Sequence, residues 1–374
     1  MKEKLLGKTL EELRQAALEC GLKAFVGNQL CEWLYVKRAT GWDAMTNIGK
    51  AAKAALQERF ELGVSAPVGS ALSCDGPGVE TFHKSTVSAA GVCPDGPGVE
   101  TSPKSTVSAA GGRPDGPGAQ MPSAVEAVVI PDGERRTLCV SSQAGCKMGC
   151  RFCMTGRQGW HGNLDAGDIL NQFLSVEDSA SLTNAVFMGM GEPLDNYGAV
   201  SRAIEILTAP WGFAWSPKRI TVSTIGVLPA LERFLEEQRC HLAVSLHNPF
   251  PDERLALMPV QKAWPLEDVI ALLRRYDFSG QRRVSFEYTM FAGFNDDKRH
   301  ADALCRLLHP LECRVNLIRF HKIPDFPYEC PPDAVMEAFR DRLNNHGTIC
   351  TIRTSRGEDI LAACGMLAGR SLWR

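Results

Sequence analysis

The chain begins with amphipathic stretches and, after an interruption, settles into a regular alternation of short apolar runs and longer helical patterns. Thr9-Leu10-Glu11-Glu12 has the form of a capping box, in which Thr9 caps and Glu12 reaches back, and so predicts a helix start. Further helices are predicted near Phe25–Arg38 and Gly49–Phe60, which makes residues 1–62 a small helical domain. From residue 124, apolar runs of strand length recur at Val125–Ile130, Thr137–Ser141, Ala185–Met190, Ile220–Thr224, Leu242–Leu246, Val284–Met290, Val315–Ile318 and Ile349–Thr354. Helical patterns lie between them at Ala166–Leu174, Ala199–Leu207, Val227–Glu237, Leu266–Tyr276, Asp297–Leu308 and Asp333–His346. Short apolar runs flanked by turn residues are how buried parallel strands read. Their alternation with helices predicts a parallel α/β architecture over residues 124–374, either a full or partial barrel or an open doubly wound sheet. The glycine-rich phosphate fingerprint of the dinucleotide fold is missing, which favours the barrel.

The interruption has its own pattern. Residues 75–94 read DGPGVETFHKSTVSAAGVCP and residues 95–114 read DGPGVETSPKSTVSAAGGRP, identical at 16 of 20 positions, and DGPG returns at 115–118. A unit rich in Gly, Pro, Ser and Thr without a large apolar face buries too little surface to offset its ordering entropy. Residues 63–123 are therefore expected to be a linker carrying a mobile, recently duplicated insert without fixed structure.

Composition narrows the class only slightly. The 374 residues are 44% hydrophobic and 22% charged, with a formal charge of −2, so nucleic-acid binding would need a local basic face rather than bulk charge. No apolar run suits a signal peptide or a membrane span, so the expected location is the cytoplasm, with no membrane partner. Fourteen cysteines in a reducing compartment argue against a disulfide framework. Cys20, Cys31, Cys240, Cys305, Cys313 and Cys350 read as small buried hydrophobes. Near the N-terminus, Trp33, Tyr35, Lys37 and Arg38 mix aromatic and basic character. They read either as an RNA-stacking surface or as a core aromatic pair beside a solvated turn.

The segment GCKMGCRFC at 145–153 is different. Cys146, Cys150 and Cys153 follow a C-x3-C-x2-C spacing after a predicted strand. Four cysteines would complete a zinc site or an ordinary iron–sulfur cluster. Three leave one iron of a cubane open to a small molecule, and the alternative is zinc with His161 or Cys139 as a distant fourth ligand. The spacing resembles the signature of radical S-adenosylmethionine (SAM) enzymes. Their open iron chelates SAM, their cluster cleaves it to a 5′-deoxyadenosyl radical, and their fold is a full or partial (β/α) barrel.

FMGMGEPL (187–194) resembles the superfamily's turn that receives the SAM amino group. VSTIGV (222–227), AVSLHNP (243–249) and RVNLIRF (314–320) place Ser223, Ser245, His247 and Asn316 in or at the ends of strands, as active sites of barrels do. TLCVSSQAGC (137–146), MGMGEPL, VSLHNP and TSRGEDILAACGML (354–367) together resemble the RlmN/Cfr family of RNA adenosine methyltransferases. The resemblance covers nearly all of the chain except the insert.

It implies a partial (β/α) barrel radical SAM core with a small N-terminal helical domain that assists RNA binding. Cys146, Cys150 and Cys153 would hold a [4Fe-4S] cluster, and Gly191, Glu192, Ser223, Ser245, Leu246, His247 and Asn316 would contact SAM. Two SAM molecules are consumed per turnover. Cys364 becomes an S-methylcysteine, Cys139 resolves the protein–RNA linkage through a transient disulfide with Cys364, and Glu126 accepts the ring proton. Without the resemblance, Glu126 reads equally as an exposed glutamate on an edge strand. Met188 and Met190 are expected to line the cavity near Cys364, and Arg353 and Arg356 are candidate phosphate contacts. The implied reaction methylates carbon 2 of adenosine in the peptidyl-transferase centre of 23S rRNA and in tRNA, 3′ of the anticodon. Carbon-8 methylation of the same rRNA base is the alternative within the family, and a non-catalytic iron–sulfur RNA-binding protein the alternative outside it. The implied partners are 23S rRNA, tRNA and an electron donor such as flavodoxin or ferredoxin, acting on a monomer.

Overall fold

The computed structural model describes residues 2–67, 69–73, 79–84, 124–280 and 282–367. Among them a ten-stranded sheet organises the chain. Its strands are β1 (Gly69–Leu72), β2 (Val79–Lys84), β3 (Ala124–Asp132), β4 (Arg135–Cys139), β5 (Asn184–Phe187), β6 (Ile220–Thr224), β7 (His241–Ser245), β8 (Val284–Met290), β9 (Cys313–Arg319) and β10 (Ile349–Ile352). They lie in sequence order across the sheet, and β4 to β10 run parallel. Among the described residues β10 and β1 do not pair, so the barrel is partial.

The expectation of parallel strands throughout is corrected at one edge. β1 to β4 form an antiparallel meander, and Asp132 pairs with Arg135 across a two-residue loop. Gly133 in that loop has φ +57°. Two residues permit a hairpin but no crossover. The second copy of the repeat lies outside the described residues, but Val79–Lys84 of the first copy forms β2, and Lys84 pairs with Ala124. Residues 85–123 therefore leave and re-enter the sheet on a single rung.

The helices that follow β4 alternate with the strands: α4 (Ala166–Leu174), α5 (Tyr197–Thr208), α6 (Leu228–Glu237), α7 (Pro251–Leu257), α8 (Leu266–Leu273), α9 (Lys298–Leu308) and α10 (Asp333–Asn345). They are preceded by α1 (Leu10–Glu19), α2 (Phe25–Cys31) and α3 (Lys50–Arg59). Thr9 closes the expected capping box with Glu12. The helix expected over Phe25–Arg38 changes pitch, because Glu32–Val36 form a π-helical turn. The N-terminal helices share the barrel's hydrophobic core rather than standing apart. Gly7 lies against α4 so closely that a Cβ there would stand 2.5 Å from the Gly167 amide nitrogen. Lys4 pairs with Asp165 at 3.0 Å and Asp168 at 2.7 Å at the same contact. Tyr35 is fully buried, and its hydroxyl donates to the Lys8 carbonyl at 2.6 Å. Arg38 lies over Phe213 and donates to Ser179, so both residues are structural, whereas Lys37 stacks on the half-exposed Trp33 at 4.0 Å.

A second apolar cluster closes the end of the barrel where the parallel strands finish. Phe152, Ile225, Leu257, Met258, Phe291, Phe320 and Phe326 pack together there, with Met148, Cys150 and Cys153 against them. No helix of the described residues is long and apolar enough to cross a membrane.

Candidate active site

The loop after β4 carries the three cysteines. It enters through a two-stranded ladder, Gln143–Gly145 with Trp160–Asn163, and contains one helical turn at Met154–Arg157. Cys146, Cys150 and Cys153 all line one cavity of about 160 Å³. Packing against the apolar cluster removes water from the thiols, and burial pushes Cys146 up to about 12 and raises Cys150 and Cys153. Opposing this, the Met148 amide donates to the sulfur of Cys146, and the amides of Thr155 and Gly156 donate to that of Cys153. Among the described residues, no three or more His, Cys, Asp or Glu side chains converge on a single-ion position. A cubane takes each of the three thiolates at a separate iron corner.

The MGMGEPL turn follows β5. Gly191 has φ +97°, and a Cβ there would stand 2.6 Å from Cβ of Gln143. The Glu192 amide donates to Gln143 Oε1 at 2.9 Å. Its buried carboxylate accepts from Thr224 Oγ1 at 2.6 Å and from the amides of Ile225 at 2.9 Å and Leu194 at 3.0 Å. Burial nevertheless pushes this carboxyl up to about 7. Glu192 thus ties the end of β5 to the end of β6.

Ser223, Ser245 and His247 line the same cavity. His247 sits at φ +57°, its Nδ1 accepts from the Thr289 amide at 3.0 Å, and burial followed by the Arg254 charge lowers it to about 3. It is therefore a neutral imidazole. Leu246 and Asn316 are not among the residues that line the cavity. Leu246 is fully buried. Asn316 donates to Glu287 Oε1 at 2.8 Å, and Glu287 does line the cavity. Register explains this: Ser245, Glu287, Asn316 and Thr351 occupy one rung across β7 to β10, with Thr351 donating to Asn316 at 2.9 Å.

Cys364 is exposed at the cavity, and Cys139 is buried. Burial and then the nearby Cys364 push Cys139 up to about 12, against the Arg353 charge and the Met188 amide. Arg353 donates to Glu287 Oε2 at 3.3 Å and to the Met188 sulfur at 3.4 Å, so it points inward. Arg356 pairs with Asp132 at 3.3 Å and donates to the Pro131 carbonyl. Both are engaged within the chain. Met188 lines the cavity as expected, while Met190 is buried outside its lining.

Glu126 is 3% exposed on a strand with neighbours on both sides, not on an edge. Because β3 runs antiparallel, its beginning lies at the end of the barrel where the parallel strands finish. Val128 pairs with Cys139, and Glu126 lies two residues further along the same face.

Two residues were missed in the sequence. Glu287 reads as one polar residue inside an apolar run. Arg254 is fully buried and donates to the carbonyls of Leu246 at 3.1 Å, Ser245 at 3.0 Å and Ile225 at 3.4 Å, and to Gln261. An arginine in the first turns of a helix gives no sign from sequence that three strand-end carbonyls await it.

Comparison with known proteins agrees with this geometry. The family model of the radical SAM superfamily matches residues 140–304, and that of the ribosomal RNA large subunit methyltransferase N-terminal domain matches residues 3–62. The "Probable dual-specificity RNA methyltransferase RlmN" of Porphyromonas gingivalis is 53% identical over 97% of this chain and 96% of that protein. The chain belongs to the RlmN family. The Syntrophus aciditrophicus "Dual-specificity RNA methyltransferase RlmN" is 34% identical over 97% of this chain and 96% of its own length. The crystal structure of a radical SAM methyltransferase from Sphaerobacter thermophilus superimposes with a TM-score of 0.85 at 35% identity, covering 98% of this chain and 100% of that one. As a radical SAM enzyme of the RlmN family, the protein uses a [4Fe-4S] cluster and SAM.

Proposed function

We propose that the protein methylates carbon 2 of adenosine in 23S rRNA and in tRNA 3′ of the anticodon, and that Cys364 carries the methyl group to the base. Cys364 and Cys139, both under the influence of Arg353, beside a cavity that also holds the three-cysteine loop, are the observation that carries this reading. The relatives' printed names support the RNA substrates.

Cys146, Cys150 and Cys153 would hold the cluster, and the polar wall of Gly191, Glu192, Ser223, Ser245 and His247 would meet SAM. Leu246 and Asn316 would join that wall, Leu246 through its backbone and Asn316 beside Glu287. When bound, cluster and SAM would supply one-electron cleavage of SAM and a carbon radical on the methylated Cys364, reduced by a donor such as flavodoxin or ferredoxin. The chain's own residues do the rest. The exposed Cys364 thiolate takes the methyl group by substitution, since the thiolate is the nucleophile. After carbon–carbon bond formation the adenine ring is tethered to Cys364; the unpaired electron of the adduct would return to the bound cluster, and Glu126 accepts the ring proton. Cys139 then attacks the Cys364 sulfur. The carbon–sulfur bond breaks with its electron pair going to carbon, which takes a proton to complete the methyl group as the Cys139–Cys364 disulfide forms, and two-electron reduction of that disulfide resets the enzyme.

The high pKa of Cys139 fits this order. Its second-largest cause is the charge of Cys364, which alkylation removes, while the Arg353 charge that favours a thiolate stays. Cys139 is thus harder to ionise before the methyl group is loaded than after.

The test uses Cys139→Ala and Cys364→Ala in the reconstituted enzyme with rRNA. The first should accumulate a covalent protein–RNA adduct at Cys364, seen on a denaturing gel and by peptide mass spectrometry after nuclease digestion, and the second none. Turnover by Cys364→Ala, or an adduct-free Cys139→Ala, rejects the mechanism. Mass spectrometry of rRNA and tRNA from a deletion strain reports the modified carbon.

A further inference from the structure

The segment between β10 and Cys364 has no helix or strand of its own, so contacts of its side chains fix its path. The Arg353 amide still donates to the Leu317 carbonyl at 2.9 Å, beside the ladder between β9 and β10. Beyond it the segment meets the antiparallel edge of the sheet. Arg356 bonds to Pro131 and pairs with Asp132, and Asp359 accepts from the Ser73 hydroxyl at 2.6 Å. Residues 353–359 thus touch β9 on one side and the β1–β4 meander on the other, across the opening where β10 and β1 do not pair. Past Cys364, the Gly365 carbonyl accepts from the Met154 amide at 2.8 Å, and the Leu367 carbonyl accepts from Thr155 Oγ1 at 2.6 Å. The exposed Cys364 therefore belongs to a strap that is pinned before and after it.

One imidazole makes two of the strap's contacts. His321 follows Phe320, which lines the cavity, and is 7% exposed. Its Nε2 shares a hydrogen bond of 2.6 Å with the Ser355 hydroxyl, and its Nδ1 stands 3.3 Å from Glu358 Oε2. A buried imidazole has to find partners for both nitrogens, and here both partners belong to the strap. We propose that His321 is a positioning residue for the chemistry of Cys364: by clasping Ser355 and Glu358 it holds the strap across the opening and keeps the Cys364 sulfur within reach of Cys139. This rests on the two-cysteine reading above. Cys364 stands six residues past Glu358. A free run of that length spans up to about 20 Å. A disulfide tolerates only about 4–7 Å between Cα atoms, so upstream anchors decide how often the two sulfurs meet. Arg356 and Asp359 anchor the strap to the meander, and His321 anchors it beside the cavity wall. The electrostatic influence of Cys364 on both Cys139 and Cys153 agrees with such a placement.

The experiment takes the full chain with its cluster reconstituted and equilibrates it anaerobically with reduced and oxidised glutathione. In forming their bond, Cys139 and Cys364 give two electrons and two protons to glutathione disulfide, which leaves as two glutathiones. Peptide mass spectrometry of the products gives the effective concentration of one thiol for the other. His321→Ala should lower it about tenfold, Ser355→Ala by less, and the double variant no further than His321→Ala, because both changes release the same clasp. His321→Gln, whose side-chain oxygen can replace Nε2 as the acceptor for Ser355, should recover most of it. In turnover, His321→Ala should lower kcat and leave KM for RNA near wild type. Hydrogen exchange of the 354–363 amides should quicken in His321→Ala, and it reads the clasp without any disulfide. An unchanged effective concentration in His321→Ala overturns the proposal, and so does unchanged exchange. Equal losses in His321→Gln and His321→Ala, each with a large fall in Tm, also overturn it and make His321 a packing residue. If wild type forms no Cys139–Cys364 disulfide at any glutathione ratio, the two-cysteine reading fails, and hydrogen exchange still decides the clasp.

Discussion

Replacing Gly191 with alanine puts a methyl group where the chain has no room for one. The residue sits at φ +97°, and the new Cβ would lie 2.6 Å from Cβ of Gln143 and 2.8 Å from its backbone nitrogen. Holding an L-residue in the left-handed region costs roughly 1–2 kcal/mol. Forcing a methyl group into a packed site costs about 1–3 kcal/mol more. The Gln143 backbone cannot rotate aside, and its side chain accepts the Glu192 amide at 2.9 Å. The expected loss is therefore about 2–5 kcal/mol, a fall in Tm of roughly 3–6 °C for a chain of this size. Displacing Glu192 also unties β5 from β6, so SAM affinity should fall in parallel. Gly198, inside α5, is the internal control, because a Cβ there meets nothing within 4 Å. Gly198→Ala should leave SAM affinity unchanged and gain up to about 1 kcal/mol from helix propensity. Calorimetric melting and SAM titration of both variants decide the matter. A Gly191→Ala protein that melts with wild type and binds SAM normally would refute the close-approach argument.

Further outcomes follow from other parts of the structure. His247 is lowered to about 3, so below its unfolded value near 6.5 the unfolded chain takes up a proton that the folded one refuses, and stability contributed by His247 is lost as pH falls. Between pH 6.5 and 5 that is about 2 kcal/mol, and Glu192, raised to about 7, works in the opposite direction. Urea unfolding of the cluster-free protein should therefore show the difference between wild type and His247→Gln changing by that amount over this range. A pH-independent difference contradicts the neutral imidazole. Arg254→Met should destabilise by about 3 kcal/mol or more, because it takes a buried donor from the carbonyls of Ser245 and Ile225, while that of Leu246 keeps the Asn248 amide; a neutral urea midpoint would show that the two carbonyls find other donors. Deleting residues 95–114 should leave melting and turnover near wild type, since halving a loop changes closure entropy by only about 0.6 kcal/mol. A large loss of turnover with normal melting would mean that the repeat takes part in the reaction.

Much of the barrel was legible because its signals are local. Ile220–Thr224 and Val284–Met290 formed as expected, since a buried parallel strand announces itself as an apolar run. The antiparallel edge was also present in the sequence, in the Asp-Gly pair at 132–133, but strand alternation outweighed that single turn. The cysteine loop was readable from spacing alone. Glu287 and Arg254 were not, because their roles depend on which strands become neighbours. Glu287 matters through its rung with Ser245 and Asn316, a relation between residues 29 to 42 positions apart that no window of sequence contains. The same limit applies to Leu246 and Asn316. Alternation shows that one follows a strand and the other lies within one, but not that Leu246 is buried in the core and that Asn316 bonds to Glu287.

The pairing of Lys84 with Ala124 makes the hairpin a mechanical port. Whatever occupies residues 85–123 is anchored at two points one strand spacing apart, and Glu126 stands two residues from the second anchor. An insertion whose ends can stand one strand spacing apart fits this position without moving that carboxylate. A folded module with widely spaced termini, spliced into the same place, would instead prise β2 from β3. The position thus offers an engineer a handle for coupling the binding of an unrelated ligand to the proton-accepting end of the barrel.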